Sequence, residues 1–221
     1  DFNEPIPMED KNNLDLYKKW RIYVKTDGDV NNSVLKYHTK SDALKSKGYE
    51  GRGVTIDDYK FIYKYLLTGS NNLIRGTEMA NDSSYGIKGA QRYFNDTKNL
   101  TKTDDINKKW ADYTSGDNPK LGIKTGSDVN GSYIDLELIN AIDSFTAMYT
   151  LSSSLVSPLP EDFFVGEKSM LGAGKTMKEN AKAYGNFNSK GDDAILDYTL
   201  CCGPYALEKW TKNQQIVFSR N

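Results

Sequence analysis

The segment 172–176 carries residue types that bind phosphate. It reads Gly-Ala-Gly-Lys-Thr, which resembles the end of a phosphate-binding loop. That loop needs another glycine five residues before Gly174, so that consecutive backbone N–H groups can surround the phosphate. Ser169 occupies that position. We therefore interpret the segment as a flexible loop without a nucleotide-binding role.

Asp27, Asp29 and Asn31 have the spacing of the first three ligands of a calcium-binding loop. Such a loop also needs a glycine at its sixth position and a bidentate glutamate at its twelfth. Asn32 and His38 stand at those two positions instead. A polar turn is the better interpretation of this stretch, and we predict no metal site.

His38 limits the catalytic chemistry because it is the only histidine in the chain. A Ser-His-Asp triad, a Cys-His pair or a multi-histidine zinc site would each depend on it. It lies in a lysine-rich polar stretch, which predicts a solvated surface side chain. Cys201 and Cys202 are neighbours, a spacing that suits neither a disulfide framework nor a CxxC metal or redox site. We expect both to be small, strand-associated thiols that pack as apolar side chains.

Pairs of adjacent carboxylates could in principle run acid–base chemistry, as in glycosidases. Adjacent side chains on a helix or loop point in different directions, however, so helix caps and solvated faces explain such pairs better. The pairs are Asp57-Asp58, Asp104-Asp105 and Asp192-Asp193. The motifs therefore predict no catalytic residue, no metal ligand and no cofactor, and we do not expect an enzyme. They identify no ligand-binding residue either.

Composition restricts the class of partner. The 221 residues include 29 Lys and Arg against 30 Asp and Glu, so no net positive charge is available to attract nucleic acid. The longest uncharged run, residues 144–160, contains two prolines and falls short of the ~20 apolar residues of a membrane-spanning helix. An aromatic content of 12% is typical of a folded domain. We predict a soluble, folded chain.

Two periodic patterns define the predicted core. From Trp20 to Lys25 every second residue is apolar, which predicts a strand with one buried face. Thr55 followed by Asp58 resembles a capping box, and Gly69 ends the pattern that follows. Between them, apolar residues recur at helical spacing, which predicts a helix with one buried face: Tyr59, Ile62, Tyr63 and Leu66.

The remaining pattern is alternately helical and extended. Ile134, Leu136 and Leu138 alternate with acidic residues, and we expect this strand to pair with the one at Trp20. The other predicted elements are short helices at 41–47, 87–94 and 144–151, a polar loop with fragments of structure at 95–126, an extended segment at 157–160, and a terminal hairpin of strands 205–210 and 214–219. These elements predict an α+β fold with a mixed sheet and short flanking helices.

The terminal hairpin carries a resemblance to a known family. It opens with Gly203-Pro204-Tyr205, its first strand ends at Trp210, and residues 216–221 read Ile-Val-Phe-Ser-Arg-Asn. This segment resembles the family-five bacterial extracellular solute-binding proteins, which include the oligopeptide- and dipeptide-binding proteins of ABC importers. Further similarities follow in the family's order at Trp20–Asp27, at 53–59 (Gly-Val-Thr-Ile-Asp-Asp-Tyr), at 121–124, at the strand to Leu138, at Phe145 and at 156–161.

The sequence departs from the family pattern in several places. The segment 33–52 is longer than usual, Gly53 replaces the customary proline, and Cys201-Cys202 precedes Gly203 where many members carry asparagine. The resemblance extends over nearly the whole chain, but full-length members are much longer. It therefore implies a fragment of a periplasmic-binding-protein-like fold. Residues 1–199 would form the small accessory domain of the first lobe, and residues 200–221 the strands that re-enter the main domain of that lobe.

The resemblance also implies a function. The protein would capture oligopeptides outside the cytoplasm, as a cell-surface lipoprotein or a periplasmic protein, and deliver them to an ABC permease in the membrane. It would act as a monomer and use no cofactor. In this family the residues that grip the peptide termini lie mainly outside the region that this chain matches. The binding residues of this chain are therefore not assigned.

An independent surface-interaction or adhesion domain, built on the same scaffold and binding a protein or a glycan, is the alternative function. Exposed aromatic rings would favour it, because such rings are enriched at interaction surfaces. The candidate rings are Tyr85, Tyr93, Trp110 and Tyr113. If most of these rings are buried, the adhesion alternative loses the feature that favours it.

Overall fold

The computed structural model describes residues 4–9, 15–26, 35–83, 85–151, 157–166, 169, 176–180, 196, 199–211 and 213–221. The helices are α1 (Asp42–Ser46), α2 (Ile56–Leu67), α3 (Ile74–Met79), α4 (Ala90–Thr97), α5 (Thr103–Thr114), α6 (Ser144–Leu151) and α7 (Glu161–Phe164), with a 3-10 turn at Gly69–Asn71. The strands are β1 (Ile6–Pro7), β2 (Tyr17–Val24), β3 (Ile123–Asp128), β4 (Gly131–Ile142), β5 (Tyr205–Thr211) and β6 (Gln215–Arg220). The predicted α+β class is confirmed.

A four-stranded sheet in the order β1-β2-β4-β3 forms the centre of the fold. As predicted, β2 pairs with β4, with Trp20 opposite Leu136 and Ile22 opposite Ile134. These side chains are buried on one face because alternate residues of a strand point to the same side. The predicted mixed sheet is wrong: every pairing among the described strands is antiparallel. Short connections between neighbouring strands, such as the turn at residues 129–130, require antiparallel pairs.

Helix α2 begins at the predicted capping box. The Thr55 side chain accepts a hydrogen bond from the Asp58 N–H, and the Asp58 carboxylate accepts one from the Thr55 N–H. The prediction of one buried face is wrong, because nearly every residue after Asp57 is buried. Even Lys64 is buried, with its Nζ donating to Glu161 Oε1 and Asn107 Oδ1 at 2.6 Å each. The helix is central because the sheet, α7 and the other helices surround it.

Two boundaries differ from the sequence prediction. Helix α4 begins at Ala90, three residues after the predicted start at Ile87, because Ile87 bridges to Leu138 and Gly89 adopts a left-handed conformation. The predicted loop at 95–126 contains the whole of α5, whose apolar residues follow a helical spacing: Ile106, Trp110 and Tyr113. Within α5, the Asp104, Asp105, Lys108 and Asp112 side chains form the solvated side of the helix. No helix in the described ranges is long and apolar enough to cross a bilayer.

The predicted terminal hairpin is confirmed as β5 and β6, which form a separate two-stranded sheet. Its approach segment is held by a short antiparallel bridge between His38 and Cys201, with backbone N···O distances of 2.6 and 3.0 Å. A two-stranded hairpin has little stability of its own in water. Contacts at its base therefore have to hold it in place.

Candidate functional site

One side of helix α6 is apolar and exposed. Phe145, Met148 and Tyr149 have 74%, 48% and 79% of their surface exposed. They occur at i, i+3 and i+4, so they lie on the same side of the helix. Ala147 and Leu151 face the opposite way and are buried in the core. We call the exposed side, made of Phe145, Met148 and Tyr149, the α6 face.

Asp143 fixes the start of α6. Its carboxylate accepts hydrogen bonds from the Thr146 backbone N–H at 2.9 Å and from the Thr146 hydroxyl at 2.8 Å. The hydrogen bond from the backbone N–H of Thr146, followed by that from its hydroxyl, lowers the pKa of Asp143. Because the pKa is lowered in the folded state, the stabilising contribution is present at neutral pH and is lost as pH falls through that lowered pKa.

We expect Asp143→Ala to loosen the first turn of α6, because the Thr146 N–H then loses its acceptor. Backbone amide hydrogen exchange at Thr146 and Ala147 should become faster, while exchange in α2 stays unchanged. Asp143→Asn is the matched control, since its amide oxygen still accepts from the Thr146 N–H. Equal exchange rates in Asp143→Ala and the native protein would contradict the capping role.

Arg75 of α3 holds the other end of α6. Its Nη2 donates to the Thr150 carbonyl at 2.7 Å, and its Nη1 donates to the Tyr85 hydroxyl at 2.7 Å and to Glu78 Oε2 at 3.1 Å. A guanidinium bound to a carbonyl in the last turn of a helix is favourable, because that end carries partial negative charge. Arg75 therefore fixes the direction of the α6 face relative to α3.

A second exposed apolar surface lies on the terminal hairpin. Tyr205, Ile216 and Phe218 are 59%, 50% and 60% exposed. The register places Tyr205 opposite Arg220 and Leu207 opposite Phe218, so alternation puts the three exposed side chains on one side of the hairpin. We call this surface the hairpin face. In a stable sheet, such a side is normally covered.

A pocket of about 530 Å³ lies where the hairpin meets the rest of the chain. Its size is within the range of small-ligand sites. We call it the junction pocket, and its lining includes both predicted domains: Tyr23, Lys36, His38 and Tyr59 from residues 1–199, and Cys202 and Asn221 from residues 200–221. Any change in the position of the hairpin would change the shape of this pocket.

The structure places His38 at the surface with partial exposure, and it adds contacts that hold the residue in place. Its side chain is 31% exposed, and Nδ1 lies 3.1 Å from Glu50 Oε1. A second oxygen of Glu50 accepts a hydrogen bond from the Thr39 N–H at 2.7 Å. Because the His38 backbone also bridges to Cys201, an extended strand segment sets its position. Sequence reasoning missed this because the partner, Cys201, is distant along the chain.

The two cysteines behave as predicted for packed thiols. Both are partly buried, and Cys201 takes part in the strand bridge. Burial, followed by the neighbouring Cys201, raises the pKa of Cys202 to about 11. The thiolate is the nucleophilic and metal-binding form of cysteine, so Cys202 is not activated at neutral pH.

The carboxylate pairs are found where helix caps were predicted. Asp58 caps α2, and Asp104-Asp105 lie in the first turn of α5. Within the described ranges, no cluster of three or more His, Cys, Asp or Glu side chains could hold a metal ion. The phosphate-loop-like residues 172–175, the calcium-loop-like residues 27–32 and Asp192-Asp193 lie outside the described residues.

Most of the aromatic rings that would favour an adhesion domain are packed inside. Tyr93 and Tyr113 are buried, with ring centroids 5.4 Å apart. Trp110 is partly buried against Tyr93 at the same centroid distance. The Tyr85 hydroxyl accepts a hydrogen bond from Arg75 Nη1. These four rings therefore give the adhesion alternative little exposed aromatic surface. Among the described residues, the most exposed aromatic rings belong to the α6 face and the hairpin face.

No protein-family model, curated protein or solved structure matches this chain. Membership of the solute-binding family is therefore a proposal that rests on the residues themselves. The α6 face could have been recognised in the sequence, because Phe145, Met148 and Tyr149 form an apolar row on the side opposite Ala147 and Leu151. Helical periodicity alone does not indicate which of two apolar sides is buried.

Proposed function

We propose that this chain is part of an extracytoplasmic substrate-binding protein that captures oligopeptides and delivers them to an ABC importer in the membrane. The observation that carries the proposal is the α6 face. It is a preformed helix with a packed side in the core and an apolar side, Phe145, Met148 and Tyr149, that no described residue covers. On this proposal the α6 face points toward the enclosed peptide.

The residue types of the α6 face suit a ligand of variable sequence. Met148 has a flexible, polarizable side chain that adapts to different neighbours. Tyr149 and Phe145 offer rigid aromatic area, and Tyr149 also has a hydroxyl for a polar partner or water. In proteins of this kind, main-chain hydrogen bonds supply much of the peptide affinity, and water-filled pockets accept the side chains. An adaptable apolar wall complements that mode of recognition.

The hairpin face supports the proposed division at residue 200. Tyr205, Ile216 and Phe218 leave half or more of their surface exposed on one side of the hairpin, although Leu207 on the same side is buried. The sheet has only two strands. Further strands and a covering layer would satisfy both the open edges and the apolar side. We propose that the main domain of the first lobe provides them.

Peptide titration is the direct test of the function. In the intact protein to which residues 1–221 belong on this proposal, we expect calorimetry to detect binding of mixed tri- to octapeptides, and X-ray scattering to detect closure of the two lobes. The double variant Phe145→Ala/Tyr149→Ala should weaken that binding about tenfold or more, because buried aromatic contacts dominate interface affinity. Residues 1–221 alone should bind weakly or not at all.

The matched control is Val129→Ala, which truncates another highly exposed apolar side chain in the turn between β3 and β4. It should leave peptide affinity unchanged. Tight, stoichiometric binding by residues 1–221 alone would contradict the fragment assignment. If the double variant and Val129→Ala bind peptide with the same affinity, the α6 face is not part of the peptide-binding site.

A further inference from the structure

Strand β3 is the last strand of the central sheet, and its outer edge is open. The Glu137 N–H donates to the Gly122 carbonyl at 2.8 Å, so Gly122 and Glu137 are a pair whose backbone groups face each other, although the Gly122 N–H itself donates to the Lys88 carbonyl. Such pairs alternate with pairs that make no hydrogen bonds to each other. The backbone groups of Thr125 and Ser127 therefore point away from β4. Within the described ranges, neither N–H group donates to a backbone carbonyl outside the sheet, and no further strand lies beside this edge of β3.

A groove of about 490 Å³ follows this open edge. Three consecutive residues of β3, Ile123–Thr125, form one wall, so the groove reaches the backbone edge of the strand. The end of α5 and the loop after it form the opposite wall, where Trp110 stands edge-on against the fully buried Tyr93. The indole is thereby held in place. We call this cavity the β3 groove.

The hydroxyl groups at the end of α5 are already used. Thr114 Oγ1 donates to the Trp110 carbonyl at 2.8 Å, and the Ser115 hydroxyl donates to the Ala111 carbonyl. They cap the helix, so neither hydroxyl has its single donor left for a ligand. The open main-chain edge and the indole are the remaining recognition elements, and both suit an extended polypeptide.

The charges of the β3 groove select an acidic occupant. Lys60 and Lys124 line it, and none of its described lining residues is acidic. Lys60 lies 3.4 Å from Asp57, but the lysine side chain is 42% exposed and the aspartate 81%, so solvent screens this pair and it competes weakly with another carboxylate. Lys124 makes no ion pair in the part of the chain that the structure describes. An acidic segment would gain contacts with both ammonium groups.

We propose that the β3 edge binds an extended, acidic segment of a partner protein as an additional strand. Its backbone pairs with Thr125 and Ser127, an apolar or aromatic side chain packs on Trp110, and a carboxylate lies near Lys60 and Lys124. This site is distinct from the α6 face and does not depend on peptide transport. The open edge of β3 spans about 20 Å, the length of a six-residue strand at ~3.3 Å per residue.

The test uses the blocked pentapeptide TEFEV as probe and residues 1–221 labelled with nitrogen-15. We expect the probe to shift the amide signals of Thr125 and Ser127 and the indole signal of Trp110. Thr125→Pro should weaken binding about tenfold or more, because it removes an outward N–H while an edge strand still accepts proline. Thr125→Val keeps the N–H and is the matched control, with affinity within about twofold of the native chain.

Charge and backbone are tested separately. The lysine-bearing peptide TKFKV should bind poorly to the native chain and better to the double variant Lys60→Glu/Lys124→Glu. TEFEV with alternate main-chain nitrogens methylated should not bind, and this ligand-side control decides the question if Thr125→Pro fails to fold. Absence of shifts at Thr125 and Ser127 at millimolar probe, or equal binding of the methylated peptide, would overturn the proposal. Neither outcome affects the peptide titrations that involve the α6 face.

Discussion

Gly76→Ala is expected to destabilise the protein by about 3 kcal/mol, a cost near the upper end of that of overpacking a tight contact. A methyl group on Gly76 would lie 1.8 Å from the Leu66 carbonyl oxygen and 2.7 Å from its carbonyl carbon. Both atoms belong to the backbone of α2, so no side-chain rotation can relieve the contact. Helix α3 would have to move away from α2.

The displacement should also affect the α6 face. Arg75 is the neighbour of Gly76 and donates to the Thr150 carbonyl of α6, to Tyr85 and to Glu78. A shift of α3 therefore disturbs the contacts that orient Phe145 and Tyr149. We expect the midpoint of thermal unfolding to fall by about 6–12 °C for this loss in a chain of this length. Circular dichroism on heating measures it.

Gly48→Ala is the control for this prediction. Gly48 has a φ of 81°, and nothing lies within 4 Å of a methyl group placed there, so the cost is that of the left-handed conformation alone, about 1–2 kcal/mol. Gly76 is in a helix, where alanine is intrinsically preferred by about 1 kcal/mol. If Gly76→Ala were as stable as the native chain, the close approach of α2 and α3 would be refuted.

The sequence predicted those helices and strands whose spacing of apolar residues fits only one kind of secondary structure. Strands β2 and β4 alternate cleanly, and both were placed and paired correctly. Helix α6 was placed with its observed bounds, Ser144–Leu151. Helix α2 was placed, but its burial on nearly all sides was missed, because buried Lys64 and Asp58 look like solvated residues in a sequence. Their burial depends on partners that other elements supply.

Long-range contacts explain the remaining errors. Helix α5 was hidden by its polar residues, since three large apolar side chains in twelve residues are a weak signal. The bridge between His38 and Cys201 joins positions that nothing in the local sequence relates. The close contact at Gly76 likewise depends on how α3 meets α2. Local patterns thus predicted the elements, whereas the packing was needed to show which apolar side of α6 is exposed and to form the β3 groove.

Arg52→Met is the second prediction with a large effect, because Arg52 is the cation of a partly buried ionic cluster. Its Nη1 donates to both carboxylate oxygens of Asp162, at 2.7 and 2.9 Å, and its Nη2 lies 3.9 Å from Asp58 Oδ1. The Asp58 side chain is 4% exposed, and the substitution removes the one cation that pairs with it in the described part of the chain. We expect the free energy of unfolding to fall by about 2–3 kcal/mol at neutral pH. This is somewhat less than the cost of breaking a fully buried ion pair, because Arg52 is one-third exposed.

The stability lost in Arg52→Met should depend on pH, because it depends on whether Asp58 is ionised. Burial raises the pKa of Asp58 in the folded state, and the charge of Arg52 partly opposes that rise. Without Arg52 the pKa rises further, so ionising Asp58 favours unfolding more strongly. The penalty is fully present above that raised pKa and shrinks as pH falls through it. Urea unfolding at about pH 7 and about pH 5 should give a smaller difference from the native chain at the lower pH.

The double variant Arg52→Met/Asp58→Asn separates charge from packing. Asparagine keeps an oxygen that can accept from the Thr55 N–H, as Asp58 does at 2.9 Å, but it carries no charge. It should therefore recover most of the stability lost in Arg52→Met and remove the pH dependence of the difference. Lys60→Met, which breaks an exposed pair with Asp57, should change stability by less than about 0.5 kcal/mol. A loss in Arg52→Met that is equal at both pH values, or unchanged in the double variant, would show that Arg52 acts through packing and Asp162 rather than by neutralising Asp58.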